Sequence, residues 1–209
     1  MLELINLIGI IDVFLVILYA YLIFKTNNNH TKLYILFGGL NELCWMIDIL
    51  FERLLSQKTI NTIVYTSYIF DWFVTIFGIM IIMELVNLKS KKIRYIIYGV
   101  SLIFLISLIL FPPNQLNTSQ FVVSYNSTIG LGISSIVFLS PLLMVLNEIL
   151  LGNKIKYPAL AISIASFIIG EEIIGSLVFV GFWQGYLTEA AILIPLIYHL
   201  YREEKNINR

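Results

Sequence analysis

The sequence predicts an all-α bundle of seven membrane-spanning helices, with the N-terminus outside and the C-terminus inside. Three observations predict it. Of the 209 residues, 59% are hydrophobic and only 12% charged, with a mean hydropathy of +0.90. A soluble domain carries about half apolar and about a quarter charged residues, because a small globule needs polar surface to face water. The apolar residues also gather in runs of about 20, the length that crosses a bilayer as a helix. Finally, the basic residues fall almost entirely into alternate joints between those runs.

The runs follow in order. The first, Ile5–Phe24, has no basic residue ahead of it, so it reads as a retained helix rather than a cleaved signal peptide. The second and third are Leu33–Phe51 and Ile60–Leu85. The fourth is Ile93–Phe111, and Thr128–Leu151 is the fifth, with Pro141 in its middle. The sixth is Ala159–Phe182, and the seventh and shortest is Tyr186–Tyr201, containing Pro195. In lipid each backbone N–H and C=O must pair within its own segment, which makes these runs helices. A barrel would need alternating residues, and these runs do not alternate. The prolines each remove a backbone donor and tend to kink their helices. No joint is long enough for a separate soluble domain, so residues 1–209 form one integral membrane domain.

The basic residues set the orientation. Lys25 and Lys32 lie in the first joint, Lys89, Lys91, Lys92 and Arg94 in the third, Lys154 and Lys156 in the fifth, and Arg202, Lys205 and Arg209 in the tail. Those eleven of the 13 share one side of a seven-span chain, leaving Arg53 and Lys58 on the other. Basic loops stay in the cytoplasm, so the predicted location is the cell membrane, multi-pass, with the bilayer as first partner. Two Asn-x-Ser/Thr triplets, Asn117–Ser119 and Asn126–Thr128, fall on the predicted outer side, where glycosylation could occur. Trp183 and Tyr186 mark the outer boundary, and Tyr95, Tyr157, Tyr198 and Tyr201 the inner one. Cys44 stands alone within an apolar run, as a small packing residue.

The unusual feature is a set of carboxylates inside the runs, with no Lys or Arg in the run interiors to pair with them. At the centre of a bilayer an ionisable group costs about 2.5–3.5 kcal/mol, so such acids need an explanation. Glu84 and Glu148 lie at predicted inner helix ends, where side chains reach the interface. Asp12, Asp71 and Glu172 lie about nine or ten residues from the outer ends of their helices, Glu42 near mid-depth, and Asp48 and Glu189 nearer the outer surface, so five helices bring acids into the outer half of the membrane. If they face inward they form an acidic cavity open to the outside. Some carboxyls there would keep their protons and donate hydrogen bonds; others would hold a proton, a metal cation or an organic cation. The competing reading is protonated carboxyls that only tie neighbouring helices together.

Local patterns favour inward faces. Ser67, Asp71 and Thr75 share one helix face, flanked by Tyr68 and Trp72. In the sixth run Ala161, Ala165, Glu172 and Ser176 form a face of small residues beside Gly170 and Gly175, which lets helices approach. Trp45 and Trp72 lie deep rather than at the interface belt, and a ring beside acids suits an organic cation as well as plain packing.

The third run carries Asp71-Trp72-Phe73-Val74-Thr75, which resembles the Asp-Trp-x-x-Thr core of helix 3 in microbial rhodopsins. There the Asp is the retinal counter-ion and proton acceptor. The seven-span, N-outside topology is similar too, and Glu189 and Arg202 resemble that family's second acid and cytoplasmic Arg in helix 7. The family's retinal-binding lysine aligns with Leu193, and its Arg ahead of the helix 3 Asp with Tyr68. The resemblance therefore implies an opsin-like relative without the chromophore, and no cofactor is expected. The Glu171-Glu172 pair resembles the Glu-Glu of intramembrane glutamic proteases, but the Arg that should follow is absent, and His30 and His199 lie toward the inner side.

The expected function is binding or transport of a proton or cation through an outward-facing acidic cavity. Asp71 and Glu172 would be central, with Asp12, Asp48 and Glu189 at the mouth, and Glu42, Trp45 and Trp72 lining it. The alternative is an opsin-like sensor or assembly subunit without retinal, acting through a cytoplasmic partner protein because its own loops are short. No catalytic constellation, cluster of metal ligands or nucleic-acid-binding patch is visible, so an enzymatic role is not expected.

Overall fold

A computed structural model describes residues 2–51, 54–88, 90–110, 116–117, 122–123, 128–169 and 182–207. Among them lie seven α-helices: α1 (Leu2–Lys25), α2 (Asn29–Phe51), α3 (Gln57–Leu85), α4 (Lys91–Leu110), α5 (Thr128–Leu150), α6 (Pro158–Ile169) and α7 (Phe182–Ile207). Each of the seven apolar runs contributes one helix. Two two-residue strands, Leu116–Asn117 and Val122–Val123, pair between α4 and α5. By length and composition α2 and α3 are each sufficient to cross a membrane.

Local chemistry sets the helix ends. The Asn28 side chain accepts the Thr31 amide at 2.9 Å, and the Ser56 hydroxyl accepts that of Thr59 at 3.2 Å, so α2 and α3 each start on a capping residue. Ser90 plays the same part for α4 through the Ile93 amide. The end of α3 is a Schellman turn: Leu88 N–H donates to the Met83 carbonyl and Asn87 N–H to that of Glu84, with Asn87 left-handed at φ 52°. The end of α5 repeats this with Gly152 at φ 69°, Asn153 N–H reaching Glu148 and Gly152 N–H reaching Ile149. The Asn153 amide also donates to the Glu148 carboxylate at 2.7 Å. Pro158 opens α6, where a missing N–H costs nothing.

The chain divides into two compact units. The first holds residues 1–77 and 114–122, and therefore α1, α2 and the first part of α3. Here α1 packs along α2. Tyr19 of α1 crosses the Gly38-Gly39 pair of α2: a Cβ at Gly39 would lie 2.9 Å from the Tyr19 Cβ, and one at Gly38 would lie 3.0 Å from its ring. Farther along, a Cβ at Gly9 would overlap Leu50. These contacts fix an antiparallel hairpin. Phe37 of α2 stacks on Phe73 at 4.5 Å and on Phe77 at 5.6 Å, which joins α2 to α3.

The second unit holds residues 78–113 and 123–209. In it α4 packs on α5, α5 on α6, and α6 on α7. One face of α6 is fully enclosed: Leu160, Ala161, Ile164, Ala165 and Ile168. On α7, which packs on α6, Ile192, Leu193, Leu196 and Leu200 are buried. The last two turns of α3 are buried nearly all round, through Ile79, Ile81, Ile82, Met83 and Leu85. Lys156 N–H donates to the Leu85 carbonyl at 3.1 Å and ties the α5–α6 joint to that end.

The surface carries apolar stripes. On α1, Ile10, Val13, Phe14, Ile17, Tyr21 and Phe24 follow helical spacing and are exposed, Phe14 at 65% and Ile17 at 61%. Similar stripes run along α4 (Ile93, Ile96, Ile103, Ile106) and α5 (Leu139, Leu143, Leu146, Leu150).

Candidate functional site

Four of the expected acids, Asp12, Glu42, Asp48 and Asp71, lie in the first unit with Trp45 and Trp72. Asp12 is 1% exposed, on the face of α1 opposite the apolar stripe. Glu42 is buried on the α2 face that also carries Thr31, Tyr34, Ile35 and Gly38. Asp48, Trp45 and Asp71 are half-buried, and Trp72 is buried. Glu172 lies outside the described residues, as do Glu171, Gly170, Gly175 and Ser176. Glu189 belongs to α7, but its side chain is outside the description.

The contacts between helices give the axial order of these groups. Gly9 is level with Leu50, and Tyr19 with Gly38 and Gly39. At a rise of about 1.5 Å per residue, Asp12 then falls level with Met46, beside Trp45 and between Glu42 and Asp48. Phe37 against Phe73 sets Asp71 level with Gly39. Asp71 is thus about 4–5 Å along the axis from Glu42 and about 10 Å from Asp12. By axial level alone the acids form a ladder in the order Asp71, Glu42, Asp12, Asp48. Among the described residues no group of three or more His, Cys, Asp or Glu could together hold a metal ion.

The polar stripe on α3 is buried at both ends, Ser67 at 1% and Thr75 at 0% exposed. The Ser67 hydroxyl donates to its own helix, to the Val64 carbonyl at 2.7 Å. That bond satisfies the hydroxyl locally and leaves Asp71 as the ionisable member of the stripe.

Several buried polar groups in this unit were missed from sequence. Tyr19 and Thr26 share the Asp12 face of α1 and its continuation, at spacings of seven residues, and Thr31 and Tyr34 share the Glu42 face of α2. The heptad spacing of Asp12, Tyr19 and Thr26 was the available signal. In the second unit, His199 is buried with the Tyr157 ring edge-on at 4.3 Å. Leu193 is buried in α7.

Comparison with protein-family profiles, with curated proteins and with solved structures finds no match for this chain.

Proposed function

We propose that the chain is a seven-span membrane protein, N-terminus outside, that binds or conducts a proton or cation through the acids of α1, α2 and α3. The observation that carries this reading is the inverted pattern of α1. Its carboxylate Asp12 is buried at 1% while Ile10, Phe14 and Ile17 stand more than half exposed. Water would favour the opposite arrangement; a lipid solvent favours this one. A contiguous exposed apolar surface of this kind marks contact with a membrane or a partner, and its repetition on α4 and α5 supports a bilayer around the whole chain.

Buried acids in such a setting are costly, and membrane proteins that carry them use them as ion or proton pathways. Asp71 is the central group of this reading, one turn from Glu42 along the ladder, with Trp72 beside it. Asp12 and Asp48 lie toward the predicted outer mouth. The test is flux in vesicles containing the purified protein, with a potassium diffusion potential as driving force and an internal pH dye as readout. Protein-dependent proton entry that Asp71→Asn abolishes supports the reading, since Asn keeps size and hydrogen bonding but cannot exchange a proton. Wild-type vesicles no leakier than empty ones, to protons or to small cations, would remove it.

The alternative, an opsin-like sensor acting through a cytoplasmic partner, rests on Asp71-Trp72-x-x-Thr75, the similar topology, and Glu189 and Arg202. It predicts co-purification of a partner with the tagged chain and no flux. On either reading, added retinal forms no covalent pigment, because α7 offers leucine at position 193 and no amine nearby.

A further inference from the structure

We infer that the seam between α1 and α2 is a proton path leading from the acid ladder to the α1–α2 turn, relayed by Tyr19, Tyr34, Thr26 and Thr31. This inference rests on the proposed function and specifies its ion and its inner half. Asp12, Tyr19 and Thr26 lie seven residues apart, so one face of α1 and its continuation carries all three, at 1%, 6% and 3% exposure. Thr31, Tyr34 and Glu42 lie on the buried face of α2. In the antiparallel register set by Tyr19 over Gly38-Gly39, the polar groups interleave. From the turn outward the order is Thr31 with Thr26, Tyr34, Tyr19, Glu42 and Asp12. The column runs for about 22 Å, much of the ~30 Å hydrocarbon core of a bilayer. Its widest step, from Tyr34 to Tyr19, is spanned by two phenols, the longest neutral hydroxyl side chains.

Two further observations point to protons. Thr26 Oγ1 is enclosed and has no hydrogen-bond partner among the described residues. An enclosed hydroxyl without a partner is costly, and it is the kind of group a transient water or passing proton satisfies. The seam is also tight where Tyr19 crosses Gly38 and Gly39, since even one added Cβ there meets the ring or its Cβ at 2.9–3.0 Å. A hydrated cation needs a bore; a proton needs only a chain. Each hydroxyl or water accepts a proton on one lone pair and releases its own to the next, so no group is left changed. If these side chains only bind the helices together, they contribute stability and nothing to flux.

The experiment is the same vesicle assay, on Tyr19→Phe, Tyr34→Phe, Thr26→Val and Thr26→Ser, with Tyr98→Phe of α4, in the second unit, as a control. Flux is expressed per folded protein, with helix content and thermal unfolding measured alongside. The expected result is a fall of about tenfold for Tyr19→Phe and for Thr26→Val, the effect of losing one hydrogen-bond link of about 1.4 kcal/mol. Thr26→Ser, which keeps the hydroxyl, should restore most of the flux lost in Thr26→Val, and Tyr98→Phe should match wild type. If Asp71→Asn abolishes flux while Tyr19→Phe, Tyr34→Phe and Thr26→Val all conduct at the wild-type rate, the path is wrong and the acid reading survives. Selective passage of a metal cation with no proton entry also overturns the path. No flux of any ion from wild type overturns both.

Discussion

At the residue scale, the question is what a carboxyl or a glycine does in an apolar helix. Asp71 is too short to reach either end of α3, and its stripe neighbours Ser67 and Thr75 are enclosed. Asp71→Leu should therefore destabilise the fold by about 1–3 kcal/mol, because polar groups around it lose a partner, while Asp71→Asn leaves stability nearly unchanged. Thermal unfolding in detergent compares the two, and equal stability of the Leu and Asn variants would place the carboxyl outside the bundle. Glycines separate by their surroundings. A Cβ at Gly39 meets Tyr19 at 2.9 Å, whereas a Cβ at Gly99 meets nothing within 4 Å. Gly39→Ala should then cost about 1–3 kcal/mol by overpacking, and Gly99→Ala should stabilise α4 by up to about 1 kcal/mol through helix propensity. The opposite order in a melting experiment would contradict the close approach of α1 to α2.

At the element scale, the helix ends carry information that the apolar runs did not. The runs predicted helices beginning at residues 33, 60 and 93; α2, α3 and α4 begin at 29, 57 and 91. The difference is capping: Asn28, Ser56 and Ser90 satisfy amides of the first turn and extend each helix into its polar joint. At the other end, Gly152 closes α5 with φ 69°, where an L side chain is strained. Gly152→Ala should lower stability by about 1 kcal/mol, because nothing crowds the site and only the backbone conformation opposes a Cβ. Asn87 occupies the matching position at the end of α3, so Asn87→Gly should be neutral or slightly stabilising. Unfolding of the two variants, read by circular dichroism, tests both turns.

At the scale of the whole molecule, the prediction is topological. Eleven of the 13 Lys and Arg residues fall on one side of a seven-span chain. A reporter fused to the C-terminus should be cytoplasmic, and cysteines introduced between Pro112 and Ser127 should react with an impermeant reagent from outside. Finding both on one side would rule out seven spans. Such an arrangement also puts the α1–α2 turn inside and the Asp48 end of the ladder outside, which gives the proposed path its direction.

The helical class and the approximate extent of each helix were legible in the sequence, because a run of apolar residues of span length leaves the backbone no partner except itself. Four candidate acids were legible by type, since a carboxyl in such a run stands out against its neighbours. Their mutual placement was not. The sequence put Asp71 and Asp12 at similar distances from their predicted outer helix ends. The register fixed by Tyr19 on Gly38-Gly39 and by Phe37 on Phe73 separates them by about 10 Å and interposes Glu42. Tyr19, Tyr34, Thr26 and Thr31 were passed over because a tyrosine or threonine is at home in apolar surroundings or at an interface. Only packing shows that all four are buried. Composition decides which solvent a helix prefers; the depth at which one helix meets the next depends on where a glycine lets a ring approach, and that is settled only when the chains pack.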